Sequence, residues 1–328
     1  MPSSLVINIF IFVSFLRKPI SCTDCSADMK EQGKTVRLVH NPAAGKEDND
    51  DGDELSHLIK QHGYRCKAVL KKDAVKNMSA QTDLIAVAGG DGTIRLTILG
   101  LLEKKLRFKR PIAILPQGTA NNIALSLGIP LDNKLAIDLW KHAQLKKFDV
   151  GMVLGLDKKP LHFIESIGFG VFPMLIEKMS NKKLIHATKE EEIKMALEEL
   201  RRIAEVFPAE TLKLIIRSHV IEEECIMVEV MNIARMGPRL ALSPDSDPGD
   251  GQFEVIIVTN EHRQKLIDFI DEVLEGNNPI FPIKSIRTNR LVLKSKGKVM
   301  HIDDELTSYS GQNITISLLD SLIEFIVK

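Results

Sequence analysis

The sequence predicts an α/β half built on a parallel sheet, followed by a β-rich half that forms a β-sandwich. From Thr35 to Leu115, short apolar runs alternate with helical stretches, which is typical of a parallel sheet with helices on both faces. After Phe148, most runs are short and β-like, with few helices between them. The 328 residues suffice for two cores. The predicted parts are a non-folding leader (1–33), an α/β domain (34–147) and a β-rich domain (148–328).

The leader differs in composition from the rest of the chain. Residues 5–16 form an apolar run that is too short to span a bilayer comfortably. Arg17 and Lys18 follow this run, whereas the basic residues of a signal peptide precede it. Met29 lies just before the first strand. We expect a segment that does not fold, with a weak anchor at a membrane surface as the alternative.

Charge and cysteine content exclude two classes of protein. Lys and Arg together number 44, as do Asp and Glu, whereas a nucleic-acid-binding protein would show a basic excess. The four cysteines are too few and too scattered for a disulfide framework. Cys22 and Cys25 form a C-x-x-C without a second pair at zinc-site spacing, so we interpret it as a chance pair. The rest of the chain is typical of a reduced, cytoplasmic protein.

In the first half, strands are predicted at 35–40, 67–70, 83–88 and 111–115, with a helix at 54–62. Turns at Asn41, Gly89 and Pro116 follow three of these strands. Parallel strands end at one edge of their sheet, where ligands bind, so the three turns are expected to converge there. The acidic stretch 47–53 is interpreted as a solvated surface loop.

The second half contains many short β-like runs and two helices. The helices are predicted at 190–206, with an apolar stripe at helical spacing, and at 264–275. Strands are predicted at 150–156, 161–167, 211–216, 225–234, 253–258, 290–294, 299–302, 314–318 and 322–327.

The most informative stretch is the glycine turn after the third strand, where three glycines surround Asp91 and precede Thr93. Glycine lets a backbone approach phosphate closely, and the helix that follows presents unpaired N–H groups to an anion. A carboxylate among these groups repels phosphate unless it holds a cation, so Asp91 is predicted to bind Mg²⁺. The sequence lacks both the Walker A and the G-x-G-x-x-G patterns, and the alternative is an ordinary strand-to-helix turn.

A second turn, at residues 116–121, repeats this order of strand, glycine, threonine and helix. Its alternative interpretation is a helix start capped by Thr119. Taken together with the first turn, this second turn is a more specific signal of a phosphate-binding site. The GGDGT and P-x-G-T-x-N segments together resemble the diacylglycerol kinase catalytic domain family, of the bacterial lipid kinase type, within the diacylglycerol, sphingosine and NAD kinase superfamily. NAD kinases share the first segment but not the second.

The resemblance extends over residues 35–328 and implies which residues bind the nucleotide. Residues 41–45 resemble the turn of this family at the nucleotide phosphates, with Ala44 in place of its usual Ser. The implied nucleotide-binding residues are Asn41, Pro42, Ala43, Ala44, Gly45, Gly89, Gly90, Asp91, Gly92, Thr93, Gly118, Thr119 and Asn121.

Two acidic segments of the second half also resemble motifs of this family. Residues 243–253 resemble a segment that binds a structural Mg²⁺, which implies Asp250 with carbonyls of Asp247 and Gln252 as ligands; an Asp-, Pro- and Gly-rich β-turn is the alternative. Residues 303–305 resemble a catalytic Asp-Gly-Glu, with Asp304 in the glycine place.

In an extended strand, Asp303 and Glu305 would share one face and Asp304 would point away. The resemblance then implies that Glu305, supported by Asp303, is the catalytic base, with Asp91 as the third catalytic residue. The alternative is a charged edge or turn. Arg95 is a further departure, because lipid kinases often have Asn or Ser at its position.

These patterns predict an ATP- and Mg²⁺-dependent kinase that phosphorylates a lipid hydroxyl, diacylglycerol-like or sphingoid. The expected partner is a lipid at a membrane surface, with peripheral location at the inner membrane face and a homodimer left open. An NAD kinase-like soluble kinase and a non-catalytic nucleotide- or lipid-binding relative are the alternatives. Six apolar residues could line a cleft for the lipid chain, and the alternative interpretation is that they are simply core residues. They are Phe163, Ile167, Phe169, Phe172, Met174 and Leu175.

Overall fold

The computed structural model describes residues 33–42, 51–104, 110–182 and 187–328. The predicted leader, except for Gly33, lies outside the described residues. So do the Cys22–Cys25 pair and three residues of the predicted nucleotide-binding turn, Ala43, Ala44 and Gly45.

The first half is the predicted α/β arrangement. Its strands are β1 (Thr35–His40), β2 (Arg65–Leu70), β3 (Leu84–Gly89) and β4 (Ile112–Pro116). They pair in parallel in the order β2-β1-β3-β4. The helices between and after them are α1 (Asp51–Gln61), α2 (Asp91–Glu103), α3 (Asn122–Ser126) and α4 (Asn133–Asp138). This parallel sheet confirms the predicted fold class of the first half.

The second half is β-rich and β-sandwich-like, as predicted. Its strands are β5 (Gln144–Leu154), β6 (Leu161–Phe163), β7 (Ser166–Gly170), β8 (Glu210–Ile216), β9 (His219–Met231), β10 (Phe253–Thr259), β11 (Ile286–Thr288), β12 (Arg290–Ser295), β13 (Val299–Ile302), β14 (Glu305–Ser308) and β15 (Ile314–Val327). Its helices are α5 (Val171–Ser180), α6 (Lys189–Val206) and α7 (Arg263–Leu274). Within the described ranges, no helix combines the length and hydropathy needed to cross a membrane.

One mixed sheet runs through both halves because β15 joins them. Phe325 of β15 is paired in parallel with Ile112 of β4. Along its length, β15 pairs antiparallel with β5 and β12. The sheet continues from β12 through β8, β9, β7 and β13 to β14. The rings of Phe148 and Phe325 meet edge to face at 5.0 Å within the core of the first half.

Four features differ from the predicted pattern. β5 begins at Gln144 and therefore crosses the predicted domain boundary, which stays a prediction. The strand predicted at 161–167 is two strands, β6 and β7, separated by Ile164 and Glu165. The two runs predicted at 314–318 and 322–327 are one strand, β15, with an irregularity between Leu319 and Ile323. Helix α5 was not predicted; its Pro173 lies in the first turn, where proline is tolerated.

Candidate active site

The two glycine turns lie side by side because β3 and β4 are neighbours. Gln117 N–H donates to the Gly89 carbonyl at 3.0 Å. A Cβ on Gly118 would lie 2.5 Å from the Gly90 Cα, and a Cβ on Gly90 would lie 2.8 Å from the Gly118 Cα. The two backbones therefore approach so closely that only glycine fits at either position. Neither Gly90 nor Gly118 has a left-handed backbone, so this close contact is the reason that each position requires glycine.

Asp91 is the first residue of α2, and its carboxylate contacts the start of α3. The Asn122 and Ile123 N–H groups donate to its two oxygens at 2.8 and 3.0 Å. Burial raises the pKa of this carboxyl, and the nearby Asp304 raises it further. A carboxylate oxygen with one N–H partner keeps a lone pair for a cation. Asp91 therefore fits the predicted role as a single Mg²⁺ ligand.

The second turn is closed by its own asparagine. Asn121 is left-handed (φ 54°), and its side chain accepts from the Gly118 N–H and donates to the Gly118 carbonyl, both at 2.9 Å. The Thr119 hydroxyl donates to Glu192 of α6 at 2.8 Å. Since α3 starts at Asn122 with Asn121 at its N-cap, the alternative in which Thr119 caps this helix is wrong.

Three other predicted nucleotide-binding residues within the described ranges are Thr93, Asn41 and Pro42. Thr93 is buried, and its side chain packs against Gly89. Asn41 and Pro42 directly follow the carboxyl end of β1, at the same edge of the sheet. Asp304 lies over Gly92, since its Oδ2 would be 3.2 Å from a Cβ there.

The Asp303–Asp304 pair forms a two-residue turn between β13 and β14, in which Ile302 pairs with Glu305. Asp303 adopts a left-handed conformation (φ 53°). The predicted extended strand at 303–305 is therefore wrong, because the chain reverses at these residues. The predicted orientation of Asp304 is also wrong, since its side chain faces Gly92 of the first half.

The Asp303 carboxylate binds the connection between β6 and β7. The N–H groups of Ile164, Glu165 and Ser166 donate to its carboxylate at 2.8 to 3.3 Å. Its side chain is fully buried. Burial raises the pKa of Asp303 to about 6, against the opposing effects of these backbone groups and of Arg95. This geometry suits a positioning role at the β6–β7 connection.

Arg95 of α2 binds both acids of the hairpin. Its Nε donates to Asp303 at 2.8 Å, and Nη1 and Nη2 donate to the two oxygens of Glu305 at 2.6 and 3.1 Å. The Arg95 side chain is 9% exposed, whereas that of Glu305 is 62% exposed. Glu305 and Arg95 both line a cavity of about 560 Å³, which is distinct from the cavity that Asp91 and Asp304 line. The residue that departs from the family pattern therefore ties the glycine-turn helix to the acidic hairpin.

A buried histidine–glutamate pair supports the same turn. His301 contacts the Glu229 carboxylate through Nε2 at 2.9 Å and the Asp303 carbonyl through Nδ1 at 2.7 Å. Burial raises the pKa of Glu229, and although burial lowers that of His301, the Glu229 charge raises it overall. Gly168 leaves room for this pair, because a Cβ there would lie 2.2 Å from the Glu229 carboxylate.

Residues of both halves line one cavity of about 260 Å³. Both acidic and apolar residues contribute to its lining. The lining residues are Asp91, Gly92, Ala120, Asn122, Glu165, Ser166, Phe172, Leu175, Ile176, Met236, Gly237, His301, Asp303 and Asp304.

Sequence reasoning missed Glu165 and Glu229. The available signal was a carboxylate inside a predicted β run that is otherwise largely apolar.

Of the six predicted cleft residues, Phe172 and Leu175 line this cavity. Phe163, Ile167 and Phe169 are core residues of the β-rich half, as the alternative interpretation had it. Met174 packs against the core around α5, α6 and α7.

The predicted structural Mg²⁺ ligands already have partners. One Asp247 oxygen pairs with Lys146 and the other accepts from the Gly249 N–H. One Asp250 oxygen accepts from the Gln252 N–H, and the other pairs with Arg287. Asp250 does not fit a metal site, because Arg287 neutralises its carboxylate and the predicted ligand carbonyl of Asp247 already accepts from the Asp250 N–H.

Two family models match consecutive parts of the chain. The diacylglycerol kinase catalytic domain matches residues 35–153, and the YegS C-terminal NAD kinase beta sandwich-like domain matches residues 174–317. A diacylglycerol kinase of Bacillus subtilis is 24% identical over 254 residues, covering 75% of this chain and 80% of the relative. A diacylglycerol kinase of Staphylococcus aureus is 32% identical over 127 residues, which cover 36% of this chain and 39% of the relative.

The fold also matches a solved structure over most of the chain. A diacylglycerol kinase from Bacillus anthracis str. Sterne superimposes with a TM-score of 0.67 at 22% identity. The match covers 90% of this chain and 97% of that one. At this identity the match establishes a shared fold.

Proposed function

Because this chain belongs to the kinase family that pairs a diacylglycerol kinase catalytic domain with a YegS-type β-sandwich-like domain, we propose that it is an ATP-dependent lipid kinase. It would transfer the γ-phosphoryl group of ATP to the hydroxyl of a lipid, diacylglycerol-like or sphingoid. The observation that supports this best is the cavity that Asp91 of the glycine turn and Asp304 of the hairpin line together with apolar residues. A lipid acceptor needs this combination, because its reacting end is polar and its body is apolar.

The residues of the two halves would take different parts in the reaction. The first turn, with the start of α2, would hold the nucleotide phosphates, and Asp91 would hold Mg²⁺, which neutralises phosphate charge when bound. Phe172, Leu175 and Met236 would contact the lipid chain. Catalysis would rest on positioning, as is usual for phosphoryl transfer.

We keep Glu305, supported by Asp303, as the proposed proton acceptor. The acceptor oxygen would form a bond to phosphorus as the bond to the leaving ADP oxygen breaks, and the hydroxyl proton would pass to the carboxylate. Both Glu305 oxygens are bound by Arg95, so Glu305 must leave this pair to act as a base. The acceptor would come from a membrane surface, which places the reaction at the inner face of the membrane in this proposal.

The test is a transfer assay with ATP labelled at the γ-phosphorus. Wild-type protein is mixed with Mg²⁺ and either vesicles of an extracted lipid mixture or soluble NAD. We expect label in the organic phase with the vesicles and none in NAD. Label in NAD alone would overturn the lipid assignment in favour of an NAD kinase-like activity.

A second function has a specific observation in its favour. The bidentate pair between Arg95 and Glu305 neutralises the proposed base, as expected of a relative that binds nucleotide or lipid without turnover. ATP binding in calorimetry, without label transfer to any lipid of the extract, would support this non-catalytic function over the kinase.

A further inference from the structure

The polar lining of the 260 Å³ cavity is unusually rich in hydrogen-bond acceptors. Four acidic residues are among its lining residues, Asp91, Glu165, Asp303 and Asp304. Arg95 and three N–H groups compensate Asp303, and two N–H groups bind Asp91. Glu165 is only 8% exposed, and its carboxylate has no hydrogen bond or ion pair with any residue in the described ranges. A carboxylate in this situation costs stability unless a ligand compensates it.

A second acceptor beside the cavity also lacks a partner. The Asn122 amide nitrogen donates to the Gly237 carbonyl at 3.0 Å, which fixes the orientation of the amide. Its Oδ1 is buried and has no hydrogen-bond partner among the residues that the structure describes. Asn122 and Gly237 both line the same cavity as Glu165. Two independent side chains therefore present unused acceptors around one small space.

The charges around Glu165 favour a cation. Burial raises the pKa of Glu165 well above its ordinary value, and Asp91, Asp303 and Asp304 raise it further, while Arg95 acts in the opposite direction. His301 also faces the cavity, but both of its ring nitrogens are engaged. A primary ammonium group carries three donors and no acceptor, which matches a lining made of acceptors.

The apolar residues of the lining determine what carries the cation. The same cavity is also lined by Phe172, Leu175, Ile176 and Met236, which suit a hydrocarbon chain next to the charged group. We propose that this cavity binds the primary ammonium group of an amphiphilic amine through Glu165 and Asn122, so that the lipid phosphorylated is an amino alcohol. The identification of the phosphorylated lipid as an amino alcohol rests on the proposed kinase function, whereas binding of the amine does not.

The experiment measures binding of three decyl amphiphiles to the full chain by calorimetry, below their micelle concentrations. Decylamine has the charge and the N–H donors, decyltrimethylammonium has the charge alone, and 1-decanol has neither. The wild type is compared with Glu165→Gln, which keeps the shape and removes the charge. Glu198→Gln is the matched control, since Glu198 is on α6, is partly exposed and does not line the cavity.

We expect the wild type and Glu198→Gln to bind decylamine at least about tenfold more tightly than either other probe. Glu165→Gln should lose this preference. Equal affinities of the wild type for the three probes would overturn the proposal, whether or not the variant folds. So would a preference that survives in Glu165→Gln, or a variant that loses Mg²⁺ binding while its amine binding is unchanged.

The kinase proposal and this inference fail separately. Selective decylamine binding by a protein that transfers no label to any lipid would support the amine site and contradict the proposed kinase. Label transfer to lipids by a protein that binds all three probes equally would support the kinase and overturn the amine site.

Discussion

At the scale of single residues, Arg95 is the contact that couples the glycine-turn helix to the acidic hairpin. Its guanidinium lies between the fully buried Asp303 and the exposed Glu305. Removing one partner of a buried ion pair leaves an uncompensated charge, which costs more than the intact pair contributes. Arg95 therefore contributes to stability mainly through Asp303, and its contact with Glu305 bears on activity.

Replacing Arg95 by methionine should lower the free energy of unfolding by about 3–5 kcal/mol, because Asp303 would lose its cation in a buried site. Urea denaturation measures this loss. Adding Asp303→Asn should recover part of it, since the amide carries no charge. Arg202→Met on α6 is the control, because the Arg202 side chain is 61% exposed. A loss below about 1 kcal/mol in Arg95→Met would contradict this account of the pair.

Glu165→Gln should stabilise the protein in alkaline solution. The pKa of Glu165 is raised in the folded state, so the folded protein holds this proton at a pH where the unfolded chain has lost it. The contribution of Glu165 to stability therefore falls as the pH rises above its ordinary pKa of 4.5, towards the raised folded value.

The variant has no carboxyl at this site and lacks that decline. Thermal unfolding should show it near wild type at about pH 4 and more stable at about pH 8, by on the order of 1 kcal/mol. A variant that is less stable than wild type at the higher pH would show that the carboxylate has a partner in the folded protein.

Sequence motifs located part of this site but not its geometry. The structure brings Asp91, Asp303 and Asp304 to one cavity. The motifs predicted that Asp91 and Asp303 belong to the same site, but not that Asp304 does. The orientation of Asp304 was mispredicted because a left-handed residue in a turn follows no period of two. Glu165 was missed because its burial depends on a hairpin about 140 residues away, which local patterns do not encode.

At the scale of elements, the carboxyl ends of β3 and β4 are held together by glycine. The backbones of Gly90 and Gly118 touch, so the two motif turns form one packed unit. The α/β alternation of the first half was predictable because helix and strand periodicities are local. The extent of β15 was not, since its pairing with β4, β5 and β12 is settled by tertiary contacts.

Gly118→Ala should destabilise the protein by roughly 1–3 kcal/mol, since the added methyl would overlap the Gly90 backbone, which has little room to move. Gly100→Ala is the control, because it lies within α2 and its nearest neighbours are the methyl groups of Val75. Circular dichroism during urea unfolding compares the two. Equal stability of both variants would show that the turns separate at little cost.

Mg²⁺ should not stabilise the segment 243–253 between β9 and β10, which was predicted to bind a structural Mg²⁺. Arg287 already neutralises Asp250, the one carboxylate among the predicted ligands, so this carboxylate is not free for a divalent cation. Without nucleotide, the change in melting temperature between EDTA and excess Mg²⁺ should be the same in the wild type and in Asp250→Asn. A Mg²⁺-dependent rise that Asp250→Asn abolishes would restore the structural metal site predicted from the motif.

At the scale of the whole molecule, β15 makes the two halves one structure. It extends the parallel sheet of the first half and pairs with β5 and β12 of the second. The candidate site depends on this connection, because its glycine turns come from one half and its acidic hairpin from the other. The order of the motifs along the chain predicted both halves but not the continuous sheet.

The central claim is that residues of both halves form one phosphoryl-transfer site. The most direct measurement is a double-mutant cycle on the turnover rate with one accepted lipid, using Asp91→Asn and Glu305→Gln. Asp91→Asn should slow turnover roughly 10²–10³-fold and Glu305→Gln roughly 10²–10⁴-fold. The double variant should be about as slow as the slower single variant, because groups that act as one unit are not additive. Losses that multiply, or near-normal turnover in either single variant, would contradict the claim.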